Sequence, residues 1–338
     1  MATYVFETIT PAQALAIQST DVVLATSKVP GAAYTVRYDA GLSTISVIQG
    51  ATTVAFSATV MALSQAGGFR LPDGSVLYIG GETNDSNSGP TRGTAAGDGL
   101  YGGQGDDILD GFAGRDLLQG NQGNDVLYGS RDDDTLYGGQ GDDILSVGSN
   151  GGAEDLEAGA NLAQGNRGND TIYGGYFADT LLGGQDNDLI RGGGGDDLLY
   201  NTAGADTLDG GAGADSLISG AGRDVLTGGA GADYFRPGWL DAQGLSAFDV
   251  ITDLETGVDR IDVGGLGGRY VESTAPHFDA AEAFALAQMA AGASVVVVQI
   301  GQDVAAFIDN GGGASAYESG VVLTNRSLSD VAPADFLF

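Results

Sequence analysis

The chain has 338 residues, 45 Asp plus Glu against 13 Lys plus Arg, a formal net charge of −32, 59 glycines and no cysteine. That charge excludes nucleic-acid and anionic-membrane partners, whose phosphates need clustered Lys and Arg. The missing thiols exclude disulfide scaffolds, thiolate metal sites and Cys nucleophiles. So acidic a chain with 8% aromatic residues would ordinarily stay disordered, so its 42% apolar content calls for periodic burial, bound cations, or both.

Residues 1–92 predict a small, mostly-β domain to which no motif gives a role. Short runs at Tyr34–Tyr38, Thr44–Ile48, Thr53–Ser57 and Val76–Ile79 alternate polar and apolar residues between Gly and Pro. Thr10 followed by Pro11 and helix formers predicts a short helix in TPAQALAIQS. The opening MATYVFETIT lacks both regions of a Sec-type signal peptide. The longest apolar stretch, around Val295–Val298, is far shorter than the about 18 residues of a spanning helix. Residues 80–99 read as a polar linker.

Self-similarity then settles the architecture of residues 93–236. From Gly102 the chain reads GGQGDDILD, GFAGRDLLQ, GNQGNDVLY, GSRDDDTLY and GGQGDDILS, and from Gly165 the nine-residue pattern resumes through GGAGADYFR. The sixth position is Asp98, Asp107, Asp116, Asp125, Asp134 and Asp143, then Asp170, Asp179, Asp188, Asp197, Asp206, Asp215, Asp224 and Asp233. Two residues on comes an apolar residue, from Leu100 and Leu109 to Leu226 and Phe235. About sixteen nonapeptides result, the seventh and eighth degraded within 147–164, where Gly152 and Asn161 replace Asp, and Glu154 and Ala163 replace Leu. That stretch either bulges outward or splits the stack.

The stereochemistry of one unit predicts its shape. Glycines at positions one, two and four suit a tight turn with close backbone approach, and the last three residues suit a short strand. Two nines per revolution give two parallel sheets around one Leu/Ile ladder. Asp then recurs on one edge every eighteen residues, at the ~4.8 Å spacing of paired strands, where carboxylates repel unless a cation lies between them. Carboxylates and backbone carbonyls with no His or Cys select calcium over zinc or copper. The expected ligands are the fourteen Asp side chains and the loop carbonyls of Gly103, Gly105, Gly114, Gly123, Gly139, Gly141, Gly168, Gly175, Gly184, Gly193, Gly195, Gly204, Gly211, Gly213, Gly222, Gly229 and Gly231. Asp132, Phe177 and Asp186 stand where glycine is usual, which predicts weaker binding in those loops.

The pattern is similar to G-G-x-G-x-D-x-U-x, the nonapeptide of the RTX proteins exported by type I secretion. The resemblance implies an all-β-dominated fold built on a parallel β-roll, with calcium held between successive turns. Pairing each Asp with the one eighteen residues later implies about ten calcium ions. Downstream, DVITDLETGVDRIDVGGL (Asp249–Leu266) resembles the segment that follows the roll in secreted RTX proteases, where β-structure caps the last turn. A cap is also a physical need, since the final turn would otherwise expose an apolar ladder and open strand edges. Residues 237–338 are thus expected to form a β-rich cap with secretion-signal character. FDAAEAFALAQMAAG (Phe278–Gly292) predicts an amphipathic helix, and strands are expected at Ser294–Ile300 and Val304–Asp309. The acidic-apolar ending Asp335–Phe338 resembles an uncleaved type I secretion signal; a terminal strand completing a sheet is the compatible alternative.

No catalytic motif emerges. H-E-x-x-H needs two histidines and the chain has one, His277, placed to be a surface or helix-capping residue. No G-x-S-x-G occurs, Gly313-Ala-Ser315-Ala-Tyr317 failing at its last position. The expected function is therefore a secreted, non-catalytic calcium-binding protein, a self-assembling surface-layer or matrix component. Apolar seventh positions (Ile108, Val126, Ile144, Leu198) and ninth-position tyrosines (Tyr101, Tyr128, Tyr137, Tyr173, Tyr200) either offer it an interface or merely shield the sheet. The alternative is a secreted enzyme or inhibitor with its site in residues 1–92. Ice binding would need regular Thr and Asn rows, which position three, reading Gln, Ala, Gln, Arg, Gln, does not supply.

Overall fold

The computed structural model describes residues 93–148, 159–238, 248–264, 269–309 and 319–337, together with seven short strands within 1–92. The helix expected from Thr10, the linker residues 80–92 and most of the interruption, 149–158, lie outside the described residues. The chain divides into two compact units, Met1–Tyr176 and Phe177–Phe338.

In the first unit, four of the runs expected to be β are strands: Thr35–Asp39, Thr44–Gln49 and Thr52–Ser57 pair antiparallel, while Val76–Ile79 joins the roll. Leu77 lies opposite Gly99, and Ile79 opposite Tyr101, so the roll's sheet starts before its first nonapeptide. Thr3–Val5 pairs in parallel with Val22–Leu24.

The roll itself follows from the period. Strands alternate between two sheets, so each pairs in parallel with the strand eighteen residues on: Leu118 opposite Leu100 and Leu136, Leu127 opposite Leu109 and Leu145. Eighth-position residues face inward with 0% exposure. Each buried Leu contributes about 1.5–3 kcal/mol, and the ladder makes up most of the apolar core among the described residues of this segment. At the interruption both sheets take a step of 27 residues, Leu136 pairing with Ala163 and Leu145 with Ile172. The stack is therefore not split there. One nonapeptide's worth of chain is surplus to the ladder, while Ala163 fills the Leu position.

In the second unit the two apolar columns run past the last repeat. One passes through Leu181, Leu199, Leu217 and Phe235 to Ile261 and Phe336. The other runs from Ile190 through Leu208 and Leu226 to Ile251 and Leu323. The Asp249–Leu266 segment thus supplies a further strand to each column, Asp249–Ile251 and Arg260–Asp262. The chain ending is also a strand: Phe336 pairs with Ile261, and Asp335 is fully buried, accepting from Gly257 N (2.9 Å) and Ala332 N (2.7 Å).

Beyond the columns lie the antiparallel strands Ala293–Ile300, Asp303–Ile308 and Ser319–Leu323. The helix α1 (Phe278–Met289) packs Ala281, Ala285 and Met289 inward, one residue per turn, against a core around Phe248 and Phe307. Ala, Leu and Phe occur all round α1, so its two faces differ little in polarity and the amphipathic expectation is corrected. His277 is its N-cap, Nδ1 accepting from Ala280 N at 3.4 Å. Gly320 lies against the Phe248 ring, where a Cβ would come closer than 3.0 Å.

Candidate metal centre

All fourteen sixth-position aspartates are buried, none more than 3% exposed. Their two oxygens have different surroundings. Oδ1 accepts a hydrogen bond from the backbone N–H of the Asp one turn earlier: Asp116 from Asp98 at 2.7 Å, Asp125 from Asp107 at 2.8 Å, Asp197 from Asp179 at 2.8 Å, Asp215 from Asp197 at 2.8 Å. This holds the carboxylates bonded in this way in a common orientation. Across the interruption Asn161 takes the same role, its Oδ1 accepting from Asp134 N at 2.7 Å, while its Nδ2 donates to Gly159 O at 2.7 Å.

In units opened by glycine, from Gly102 to Gly228, Oδ2 points into the cradle formed by that first-position glycine. A Cβ on Gly192 would come closer than 3.0 Å to Asp197 Oδ2 and to Gly210 O of the next turn; a Cβ on Gly210 would meet Asp215 Oδ2 and Gly228 O in the same way. First-position glycine is thus required by close approach, not by a left-handed backbone. Positions two and four do need φ > 0: Gly193, Gly195, Gly211 and Gly213 lie between 101° and 143°. Asp132 (φ 73°) and Asp186 (φ 77°) adopt that conformation despite their side chains, whereas Gly175 and Phe177 do not. The loop carbonyls at these positions stack in columns, Gly193 O facing Gly211, and Gly195 O facing Gly213.

The consequence is an oxygen-rich row short of hydrogens. In Asp116, Asp125, Asp134, Asp143, Asp197, Asp206, Asp215, Asp224 and Asp233, Oδ2 is buried with no hydrogen-bond donor. Burial, only partly offset by the backbone N–H on Oδ1, pushes these acids up: Asp116 to about 10, Asp134 to about 8, Asp125, Asp143, Asp197, Asp206 and Asp224 to about 7, Asp233 to about 6. A buried carboxylate oxygen without a donor costs about 1–3 kcal/mol or more, and a hard cation removes that cost. Among the described residues no three carboxylate or imidazole groups converge on one point. A complete shell of six to eight oxygens would therefore have to draw on backbone carbonyls as well. The donor set fits calcium.

Carboxylates at the edges of the repeats are satisfied differently in the two units. Asp98 accepts from Thr94 through both oxygens, Oδ2 from its N–H at 2.5 Å and Oδ1 from its hydroxyl at 3.2 Å. In the second unit the sixth-position role passes to Asp249 and Asp259, whose Oδ1 atoms accept from Asp224 N and Asp233 N at 3.0 Å. Asp249 Oδ2 accepts from Ser219 Oγ and Gly238 N, both at 3.1 Å, and Asp259 Oδ2 from Glu255 N at 2.6 Å. Sequence reasoning missed these two because they follow Asp224 and Asp233 by 25 and 26 residues, off the nine-residue period.

A parallel β-roll whose turns present buried, donor-free carboxylate oxygens defines the class, a calcium-binding solenoid. The family model described as the RTX calcium-binding nonapeptide repeat (4 copies) matches residues 92–127, 110–145, 157–176, 173–208 and 200–235. The repeat region of this chain belongs to that family, and it is calcium-binding. Among solved structures, the chain is similar to the AlgE6R3 subunit of the Azotobacter vinelandii mannuronan C5-epimerase, a solution structure. Identity is 31% over 49% of this chain and 80% of that one, with a TM-score of 0.24. No curated protein matches significantly. Among the described residues no helix is long and apolar enough to cross a membrane.

Proposed function

We propose that this protein is exported before its roll has folded, and that calcium outside the cell drives folding into a non-catalytic structural component of a cell surface or matrix. The supporting observation is the row of buried Asp Oδ2 atoms without donors. In the cytosol, calcium is too scarce to fill sites of the extracellular class, whose dissociation constants are about 10⁻⁴–10⁻³ M. Carboxylate repulsion and glycine entropy then keep the repeats extended. Outside, each site several-fold above its dissociation constant contributes ~1 kcal/mol. About ten such sites together match the whole stability of a domain, roughly 5–15 kcal/mol.

A structural role draws on the surface as well as on the missing catalytic motifs. Ile108 and Ile144 are 44% and 43% exposed on one sheet of the first unit, with half-buried Val126 between them. Leu198 and Tyr200 are exposed on the second unit. Of the other ninth-position tyrosines, Tyr128, Tyr137 and Tyr173 are half-buried and Tyr101 is buried, so the apolar surface is narrower than the sequence suggests. The test is light scattering of the intact chain at millimolar calcium. Growth of ordered assemblies that dissolve on chelation is expected; a strictly monomeric protein at high concentration overturns the structural role.

A further inference from the structure

Asn201 opens its nonapeptide where glycine is the rule, and it is completely buried. Its Oδ1 accepts from Gly184 N at 2.5 Å and from Thr202 N at 2.9 Å. Two backbone donors on one atom settle the orientation of the carboxamide. The flipped form would turn an NH₂ group against two N–H groups and an oxygen against a carboxylate. Nδ2 consequently faces Asp188, donating to its Oδ2 at 3.0 Å.

The neighbouring turns show what this replaces. Beside Gly192 and Gly210 the Asp Oδ2 shares its cradle with a first-position carbonyl of the next turn, and Oδ2 of Asp197 and of Asp215 has no donor. Beside Gly183 the cradle holds Asp188 Oδ2 and the carboxamide of Asn201. The lone pair that elsewhere lacks a partner here carries an N–H hydrogen, and a cation on Asp188 Oδ2 would have to displace it.

We propose that the Asn201 carboxamide stands in for calcium in the turn of Asp188, so that this turn is closed by a hydrogen bond and takes no ion. The proposal rests on the reading that turns such as that of Asp215 bind calcium through the donor-free Oδ2. It makes one mid-roll link independent of calcium, and it lowers the ion count below the number that Asp spacing alone implies.

The test is the calcium content of the intact, calcium-loaded chain by native mass spectrometry. Asn201→Gly restores the repeat's own residue and is expected to gain one ion per chain; an unchanged or reduced content overturns the proposal. Asp188→Asn is expected to keep the parent's content while Asp215→Asn loses at least one ion. Equal losses in the two variants overturn the stand-in role. No loss in Asp215→Asn overturns the underlying calcium reading instead, and the proposal with it.

Discussion

Chelation at neutral pH is the perturbation that the geometry makes most quantitative. Among the described residues at least nine aspartates, from Asp116 to Asp233, carry a buried Oδ2 without a donor. At about 1 kcal/mol each, the low end for an unpaired buried polar atom, they cost ~9 kcal/mol when no cation is bound. That equals the entire stability of an ordinary domain, roughly 5–15 kcal/mol. EDTA at pH ~8 is therefore expected to abolish the β-sheet circular dichroism of the roll, and calcium to restore it in one cooperative transition. Sodium chloride should not substitute, because the carboxylates are buried and bulk salt screens them little. Proton and calcium do the same electrostatic work, which gives a second, signed result. The folded-state values, from about 6 for Asp233 to about 10 for Asp116, lie above the ordinary 3.8. Groups raised in this way stabilise the calcium-free fold fully below the ordinary carboxylate value, and the contribution is lost as pH climbs through the raised ones. In EDTA, acidification from pH ~8 to ~5 should therefore bring β signal back. In calcium the slope reverses, because protons compete for the same oxygens. An unchanged spectrum in EDTA at pH ~8, or the same pH slope with and without calcium, would refute the reasoning.

Two substitutions separate the cation row from the apolar ladder. Gly210→Ala places a Cβ closer than 3.0 Å to Asp215 Oδ2 and Gly228 O, and is expected to lose one calcium ion and about 1–3 kcal/mol in denaturant titration. Leu217→Ala opens a cavity in the ladder, where Leu217 is 0% exposed. A destabilisation of about 2–5 kcal/mol with unaltered calcium content is expected there, read by thermal melting and mass spectrometry together.

The repeat was legible because its period is also its geometry. Eighteen residues make one revolution, so residues eighteen apart, such as Leu100 and Leu118, face each other in adjacent parallel strands. Phase alone then places sixth-position Asp residues eighteen apart, such as Asp98 and Asp116 or Asp107 and Asp125, in one row, and oxygen-only ligands point to calcium. The caps were legible only as a necessity. Asp249 and Asp259 continue the carboxylate row from irregular spacings, and no periodic argument reaches them. Ala163 was equally hidden, since a step of 27 residues keeps phase whether the chain bulges or splits.

The amino-acid order by itself determined the coil, its apolar ladder and the element that binds it, because each of these depends only on which residue types recur at one interval. Which carboxylate oxygens still need a cation was decided by the tertiary structure. A hydrogen-bond donor can come from any part of the chain that folding brings within 3 Å or so. Thr94 reaches Asp98, Glu255 N–H reaches Asp259 and the Asn201 carboxamide reaches Asp188, and no interval in the repeat foretells them.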